Sequence, residues 1–314
     1  NMRIELSKAS KIIIKLGSSI IDNKDEMIIN GICTNITRYL QENKEVILVT
    51  SGAISQGMNV MDVKNKPKDI KKLQSLAAIG QQKLMSMYEK IFSEYDFQTA
   101  QVLITHNDIN DRVRYLNIKG TLEELLNNGV IPIINENDVV STEEIKFGDN
   151  DNLASMIANL VDADLLIILT DQKGMYDKNP DSYKDAKLIN RIDIENLKDF
   201  DSDFSTQSDI GTGGFITKIQ AAKRAALSNT YTVIANGLEK SILNNIFTNN
   251  NTGTLFIPSE KKISAKKQWL DTTDSRGSII IDDGACKAIS NNNSLLLVGV
   301  SAVEGYFEKG DVIQ

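Results

Sequence analysis

The stretch KIIIKLGSS (residues 11–19) runs three consecutive isoleucines into a lysine, a leucine, a glycine and two serines. A short, unbroken apolar run closed by glycine is the pattern of a strand covered on both faces, since a half-exposed strand would alternate. The same pattern returns along the chain: EVILVTSG (45–52), TAQVLIT (99–105), GVIPIINEN (129–137), DLLIILTD (164–171), TYTVIANG (230–237) and GTLFIP (253–258). Between these runs lie amphipathic segments with helical spacing, through Ile28, Ile32, Ile36 and Tyr39, from Lys71 to Glu94, from Asp111 to Asn128, from Asp151 to Val161 and from Gly214 to Ser228. Apolar strands alternating with helices predict an α/β fold around a mainly parallel sheet. Residues 1–258 form that domain in this reading. The lysine-rich SEKKISAKKQW (259–269) breaks the alternation, and a linker is placed over 259–274. GSIIIDDGACKAI and FEKGDVIQ then read as strands divided by glycine turns, so that 275–314 is a small β-rich segment, too short to be comfortable as an independent domain.

Composition narrows the chemistry. The 314 residues are 41% hydrophobic and 25% charged, with a formal net charge of −7. That balance is ordinary for a globular protein and argues against the main body being a nonspecific nucleic-acid binder. No apolar run approaches the roughly 20 residues of a membrane span. Asn1 before Met2 reads as a vector remnant, no secretory core follows it, and the expected location is the cytoplasm. Cys33 and Cys286 stand far apart in no metal-ligand spacing. His106 is the single histidine, which leaves a histidine-based triad only that one residue to draw on.

In parallel sheets, ligands bind beyond the carboxyl ends of the strands. Those ends carry Lys15 to Ser19, Thr50 to Ala53, Asn135 to Asp138, and Thr170 with Asp171, whereas strand interiors are almost wholly Ile, Leu and Val. Gly17 and Gly52 allow close backbone approach and are expected to leave N–H donors for an anion. Lys15, inside an apolar strand, needs an anion or an exit to water, because an unpaired buried charge is costly. GTGGFITK (211–218) is a second glycine loop; it opens a helix and carries Lys218, but its order is not that of a Walker A loop. Two lysines from distant glycine loops, abundant carboxylates and almost no histidine point to phosphoryl transfer, which relies on positioning and charge neutralisation.

FGDNDNLAS (147–155) concentrates acids and amides before an apolar helix. A calcium loop is excluded, because Leu153 and Ala154 occupy places that must be ligand and glycine. Helix capping by Asp149 or Asn150 fits, and the remaining acids and amides are free to reach the strand-end crevice beside Asn135 and Asp138.

KLGSS, VTSGAI, INENDVV, KFGDNDNLA, LTDQKGMYDKNP and GTGGFITK, in this order, resemble the motifs of glutamate 5-kinases in the amino acid kinase family, over about Lys11 to Ile257. The resemblance implies a three-layer αβα sandwich and transfer of the ATP γ-phosphate to the side-chain carboxylate of L-glutamate, the first step of proline biosynthesis. It implies that Lys15 and Lys218 neutralise the transferring group while Asp151 orients them. Ser51, Gly52, Ala53, Asn135, Asp138, Asp149 and Asn150 would surround glutamate. Lys15, Gly17, Thr170, Asp171 and the run Thr212, Gly213, Gly214, Phe215, Ile216, Thr217 and Lys218 would contact ATP. Phe215 departs from the family's usual methionine. Mg²⁺ is expected to bridge phosphates with few protein ligands. Proline as feedback inhibitor, a homo-oligomer (dimer or tetramer) and a downstream glutamyl phosphate reductase are implied in the same way. The tail after Trp269 resembles the start of a PUA domain, a module often associated with RNA, although an RNA role is not expected here.

Overall fold

The computed structural model describes residues 6–22, 26–142, 150–178, 180, 182–197, 214–248, 251–259, 275, 277–290, 294–307 and 313. In chain order the elements are β1 (Lys11–Leu16), α1 (Ser18–Ile21), α2 (Glu26–Gln41), β2 (Glu45–Thr50), α3 (Ala53–Val60), α4 (Ile70–Ser93), β3 (Thr99–Ile104), α5 (His106–Asn110), α6 (Arg112–Asn127) and β4 (Ile131–Glu136). There follow α7 (Asp151–Leu160), β5 (Leu165–Thr170), β6 (Arg191–Asp193), α8 (Gly214–Ala226), β7 (Tyr231–Asn236), α9 (Ile242–Thr248) and β8 (Thr254–Ile257). The C-terminal segment holds β9 (Gly277–Ile281), α10 (Asp283–Ser290) and β10 (Val300–Gly305).

The first eight strands form one sheet in the order β3-β4-β2-β1-β5-β7-β8-β6. All neighbours from β3 to β7 pair in parallel; β8 pairs antiparallel to β7, and β6 parallel to β8. β1 is central, with Lys15 opposite Val49 on one side and Ile168 on the other.

Strand residues alternate between two apolar layers. Ile12, Ile14 and Leu16 join Leu48, Ile133, Leu84 and Tyr88 in one, together with residues of α2, α4 and α9. Ile13 joins Val49, Ile134, Ile157 and Ala222 in the other, together with residues of α6, α7 and α8. The result is the three-layer αβα sandwich expected. Parity then decides where polar strand ends go. Lys15 falls on the α7/α8 side with Ile13, whereas Thr50 and Asn135 fall on the α4 side, where the Thr50 hydroxyl lies 2.9 Å from the Tyr88 hydroxyl.

Helices α3 and α4 meet backbone to backbone. A Cβ added at Gly80 would stand 1.8 Å from the Ala53 carbonyl oxygen, and one at Gly57 1.9 Å from that of Leu76. Only glycine permits this approach, and it seats the Ser51–Ala53 turn against α4.

The C-terminal segment differs from its all-β reading. β9 and β10 form an antiparallel pair, but DGACKAIS is helix α10, capped by Asp282, whose Oδ1 accepts from the Ala285 N–H at 2.7 Å. FEKGDVIQ lies mostly outside the described residues, as does most of the expected linker. The short elements α1, α3, α5 and β6 were not foreseen from periodicity.

Candidate active site

Because β1, β2, β4, β5 and β7 are parallel, their carboxyl ends share one edge of the sheet, and Lys15, Ser51, Asn135, Asn150, Asp151 and Thr170 lie along it. Lys15 reaches from β1 to Asp151 at the first position of α7, its Nζ 2.5 Å from Oδ1. Lys218, from the second turn of α8, places its Nζ 2.8 Å from Oδ2 of the same carboxylate. Three residues distant in sequence thus form a Lys–Asp–Lys group. Burial alone would push the Asp151 carboxyl up; the two ammonium groups, Lys15 foremost, outweigh it and hold it down to about 2. Both lysines are therefore fixed by one ionised group at neutral pH.

Asn150 stands at the N-cap of α7, yet its side chain makes no cap hydrogen bond. Its Nδ2 donates instead to the Thr50 carbonyl oxygen and to Asn135 Oδ1, both at 2.7 Å. Capping, one expected role of this residue, gives way to a tertiary one. The Asn150 Oδ1 and the Ser51 Oγ are buried with no hydrogen-bond partner among the described residues. Buried polar atoms are rarely left so, and one acceptor and one hydroxyl beside the Thr50–Ser51 turn suit a polar ligand. Asp138, 5% exposed, lines a cavity of about 410 Å³ with Ala53, Gln81, Glu136 and Asn137.

Gly52 behaves as expected of a turn glycine. Its φ is +99°, and a Cβ would stand 2.7 Å from Ile21 Cγ2. Gly17 needs correction, because its N–H is not left for an anion but donates to the Leu169 carbonyl oxygen at 3.1 Å. Close approach survives there: a Cβ would lie 3.3 Å from that oxygen and 3.9 Å from Lys15 Nζ.

The Thr170 hydroxyl donates to Asp171 Oδ1 at 3.1 Å at the end of β5. Nearby Lys173 and Tyr176 line a second cavity of about 440 Å³ with Asn236 and Glu239 from the end of β7. Phe215 also needs correction as a nucleotide contact. It is 7% exposed and belongs to the apolar cluster of Met175, Ile219 and Phe256, so it seats α8 on the sheet. Ile216 is half exposed, and Thr217 precedes Lys218 on the same helix. Gly214 opens α8, while Asp149, Thr212 and Gly213 lie outside the described residues. The lone histidine sits at the start of α5 with Nδ1 3.6 Å from Glu136 Oε1 and is no member of the Lys–Asp–Lys group.

Sequence reasoning missed Gln81, which accepts from Asn135 Nδ2 at 2.9 Å, and the cavity residues Lys173 and Asn236. The one signal for Gln81 is a glutamine within the apolar stripe of α4.

The profile of the "Amino acid kinase family" matches residues 10–236, and that of the "PUA domain" residues 277–314. A glutamate 5-kinase of Thermoanaerobacter pseudethanolicus is 46% identical over 309 residues, covering 96% of this chain and 83% of that protein. One from Marinomonas sp. (strain MWYL1) is 42% identical over 318 residues, covering 99% and 85%. Among solved structures, carbamate kinase from Giardia lamblia superposes with a TM-score of 0.56 at 15% identity, over 81% of this chain and 100% of that one. UMP kinase from Bacillus anthracis does so with a TM-score of 0.53 at 14% identity, over 79% and 96%. These two share the fold. At the identities and coverage of the curated relatives, the chain belongs to the amino acid kinase family, among its glutamate 5-kinases.

Proposed function

We propose that this chain transfers the γ-phosphoryl group of ATP to the side-chain carboxylate of L-glutamate, forming L-glutamyl 5-phosphate for proline biosynthesis. The observation that carries the reading is the convergence of Lys15 and Lys218 on the two oxygens of Asp151 at the carboxyl edge of the sheet. Two fixed ammonium groups are what a phosphoryl group needs as it passes between two anions, and holding them in place beforehand avoids reorganisation during the reaction. Asp151 orients them and takes no proton. A carboxylate nucleophile is already ionised at neutral pH, so no general base is required of a group that contains none.

Glutamate is placed by Ser51 and Asn150, whose orphaned polar atoms suit its ammonium and carboxylate groups, with Asp138, Asn135 and the Gly52–Ala53 turn beside it. Asp149 is assigned to the same pocket by the motif alone. ATP is assigned to Lys15, Gly17, Thr170, Asp171 and the start of α8 with Lys218, and to Thr212 and Gly213 by the motif alone, with the cavity at Lys173, Tyr176 and Asn236 open to the rest of the nucleotide. The residues fit a magnesium ion carried by the nucleotide's phosphates, since both Asp151 oxygens already face lysines. Bound there, the ion would spread the charge of the phosphates. Feedback inhibition by proline, a homo-oligomeric state, a downstream glutamyl phosphate reductase and a cytoplasmic location rest on family membership. Among the described residues no helix is long and apolar enough to cross a membrane.

The test is a hydroxamate-trapping assay with MgATP and a panel of acidic substrates. L-glutamate should give the signal; N-acetylglutamate or aspartate giving it in place of glutamate would reassign the substrate.

A further inference from the structure

Helix α4 lays a buried stripe on the sheet through Ala77, Leu84, Tyr88 and Ile91, and Gln81 stands in the middle of it. Leucine would fill such a position at no polar cost, whereas a buried carboxamide is unfavourable unless its hydrogen bonds are made. We propose that Gln81 is a positioning residue that locks Asn150 in the orientation that receives the amino-acid substrate. This inference rests on the substrate assignment above.

Two backbone groups set the direction of the network, because neither can exchange donor for acceptor. The Thr50 carbonyl can only accept, so Asn150 turns its Nδ2 toward it, 2.7 Å away. The Glu136 N–H can only donate, so Asn135 turns its Oδ1 toward it, 2.9 Å away. Asn135 Oδ1 also accepts the second Asn150 N–H at 2.7 Å. Asn135 Nδ2 must then point outward, where Gln81 Oε1 accepts at 2.9 Å, and Gln81 Nε2 donates to Gln101 Oε1 at 3.3 Å. Asn150 and Asn135 are fully buried and Gln81 is 9% exposed, so water is a poor substitute within the chain.

The atom left over is Asn150 Oδ1, an acceptor with no donor among the described residues. A ligand that satisfies it must bring N–H groups, which suits the α-ammonium of an amino acid. The terminal torsion of asparagine is broad, so its amide plane is held by neighbours rather than by its own rotamer. Without an acceptor at position 81, Asn135 loses its outer restraint, and Asn150 loses the oriented oxygen that holds it.

Gln81→Met keeps length and apolar bulk but removes the acceptor; Gln81→Glu keeps the acceptor. The expected result for Gln81→Met is a KM for L-glutamate raised about tenfold, with the KM for MgATP unchanged and kcat little altered. Gln81→Glu should return the glutamate KM to within about threefold of the parent. Equal losses in both KM values, or no rescue by Gln81→Glu, would mean that the residue only packs α4 and would overturn the proposal. A readout independent of catalysis is hydrogen exchange at the Asn135 and Asn150 carboxamides by NMR. Slow exchange in the parent that accelerates at Asn150 in Gln81→Met supports the relay; solvent-like exchange in the parent overturns it, even if neither variant folds. A parent that ignores L-glutamate yet shows the protected, Gln81-dependent amides would refute the substrate assignment and leave the relay standing.

Discussion

Replacing Asp151 by asparagine preserves shape and removes charge, and the geometry says why both lysines cannot tolerate it. Lys15 lies 2.5 Å from one carboxylate oxygen and Lys218 2.8 Å from the other. An amide offers one acceptor and one NH₂, so whichever way it turns, a donor faces an ammonium group and one lysine must withdraw. The loss of one preorganised charge predicts a kcat lower by about 100- to 1000-fold, with a much smaller change in the KM for MgATP. Stability changes too. The Asp151 carboxyl is held from 3.8 down to about 2, which corresponds to about 2 kcal/mol at neutral pH. For a domain of this size that is a Tm lower by roughly 5 °C. Because the folded-state value is depressed, this contribution is complete above 3.8 and is lost as pH falls toward about 2. The Tm difference between parent and Asp151→Asn should therefore be constant from pH 7 to about 4 and shrink below that. Steady-state hydroxamate kinetics and thermal unfolding at pH 7, 5 and 3 check both halves. A kcat within tenfold of the parent, or a Tm gap that does not narrow in acid, would refute the reasoning.

Three further outcomes are expected. Lys218→Ala should lower kcat by about 100- to 1000-fold while the glutamate KM stays within about twofold, and an equal loss of glutamate binding would move this lysine from the phosphoryl group to the substrate. Asn150→Ala should raise the glutamate KM about tenfold or more and spare that of MgATP; an unchanged glutamate KM would remove Asn150 from the amino-acid pocket. Gly80→Ala, whose Cβ would stand 1.8 Å from the Ala53 carbonyl, should cost about 1–3 kcal/mol in denaturant melts, whereas Gly120→Ala on α6, with nothing within 4 Å, should be neutral or mildly stabilising.

Much of the fold was legible because its strands are covered on both faces and therefore read as unbroken apolar runs such as IIIKL and LLIILT. Short elements were not. A three-residue strand such as β6, or a four-residue helix such as α1, holds too few residues for any period to show. Helix α10 was legible in principle, since Asp282 precedes it as a cap, but its few apolar residues followed a β-branched run and were read with it. At the site, a strand end named Lys15, a glycine loop opening a helix named Lys218, and the family resemblance named Asp151. Their convergence needs the tertiary fold, although strand parity, with Lys15 on the face of Ile13, already selects the α7/α8 side. Gly17 was misjudged because a glycine after a strand says nothing about the partner of its own N–H; β5 supplies that partner through Leu169. Phe215 was misjudged because a residue beside a glycine loop can face the core as readily as the ligand.

The central claim is that an oxygen of the substrate's side-chain carboxylate attacks the γ-phosphorus beside Lys15 and Lys218. L-glutamate labelled with ¹⁸O in that carboxylate tests it directly, when turned over with MgATP in the presence of hydroxylamine. Hydroxylamine displaces phosphate from the acyl carbon, so the account predicts one ¹⁸O in each phosphate released; phosphate without label would contradict it.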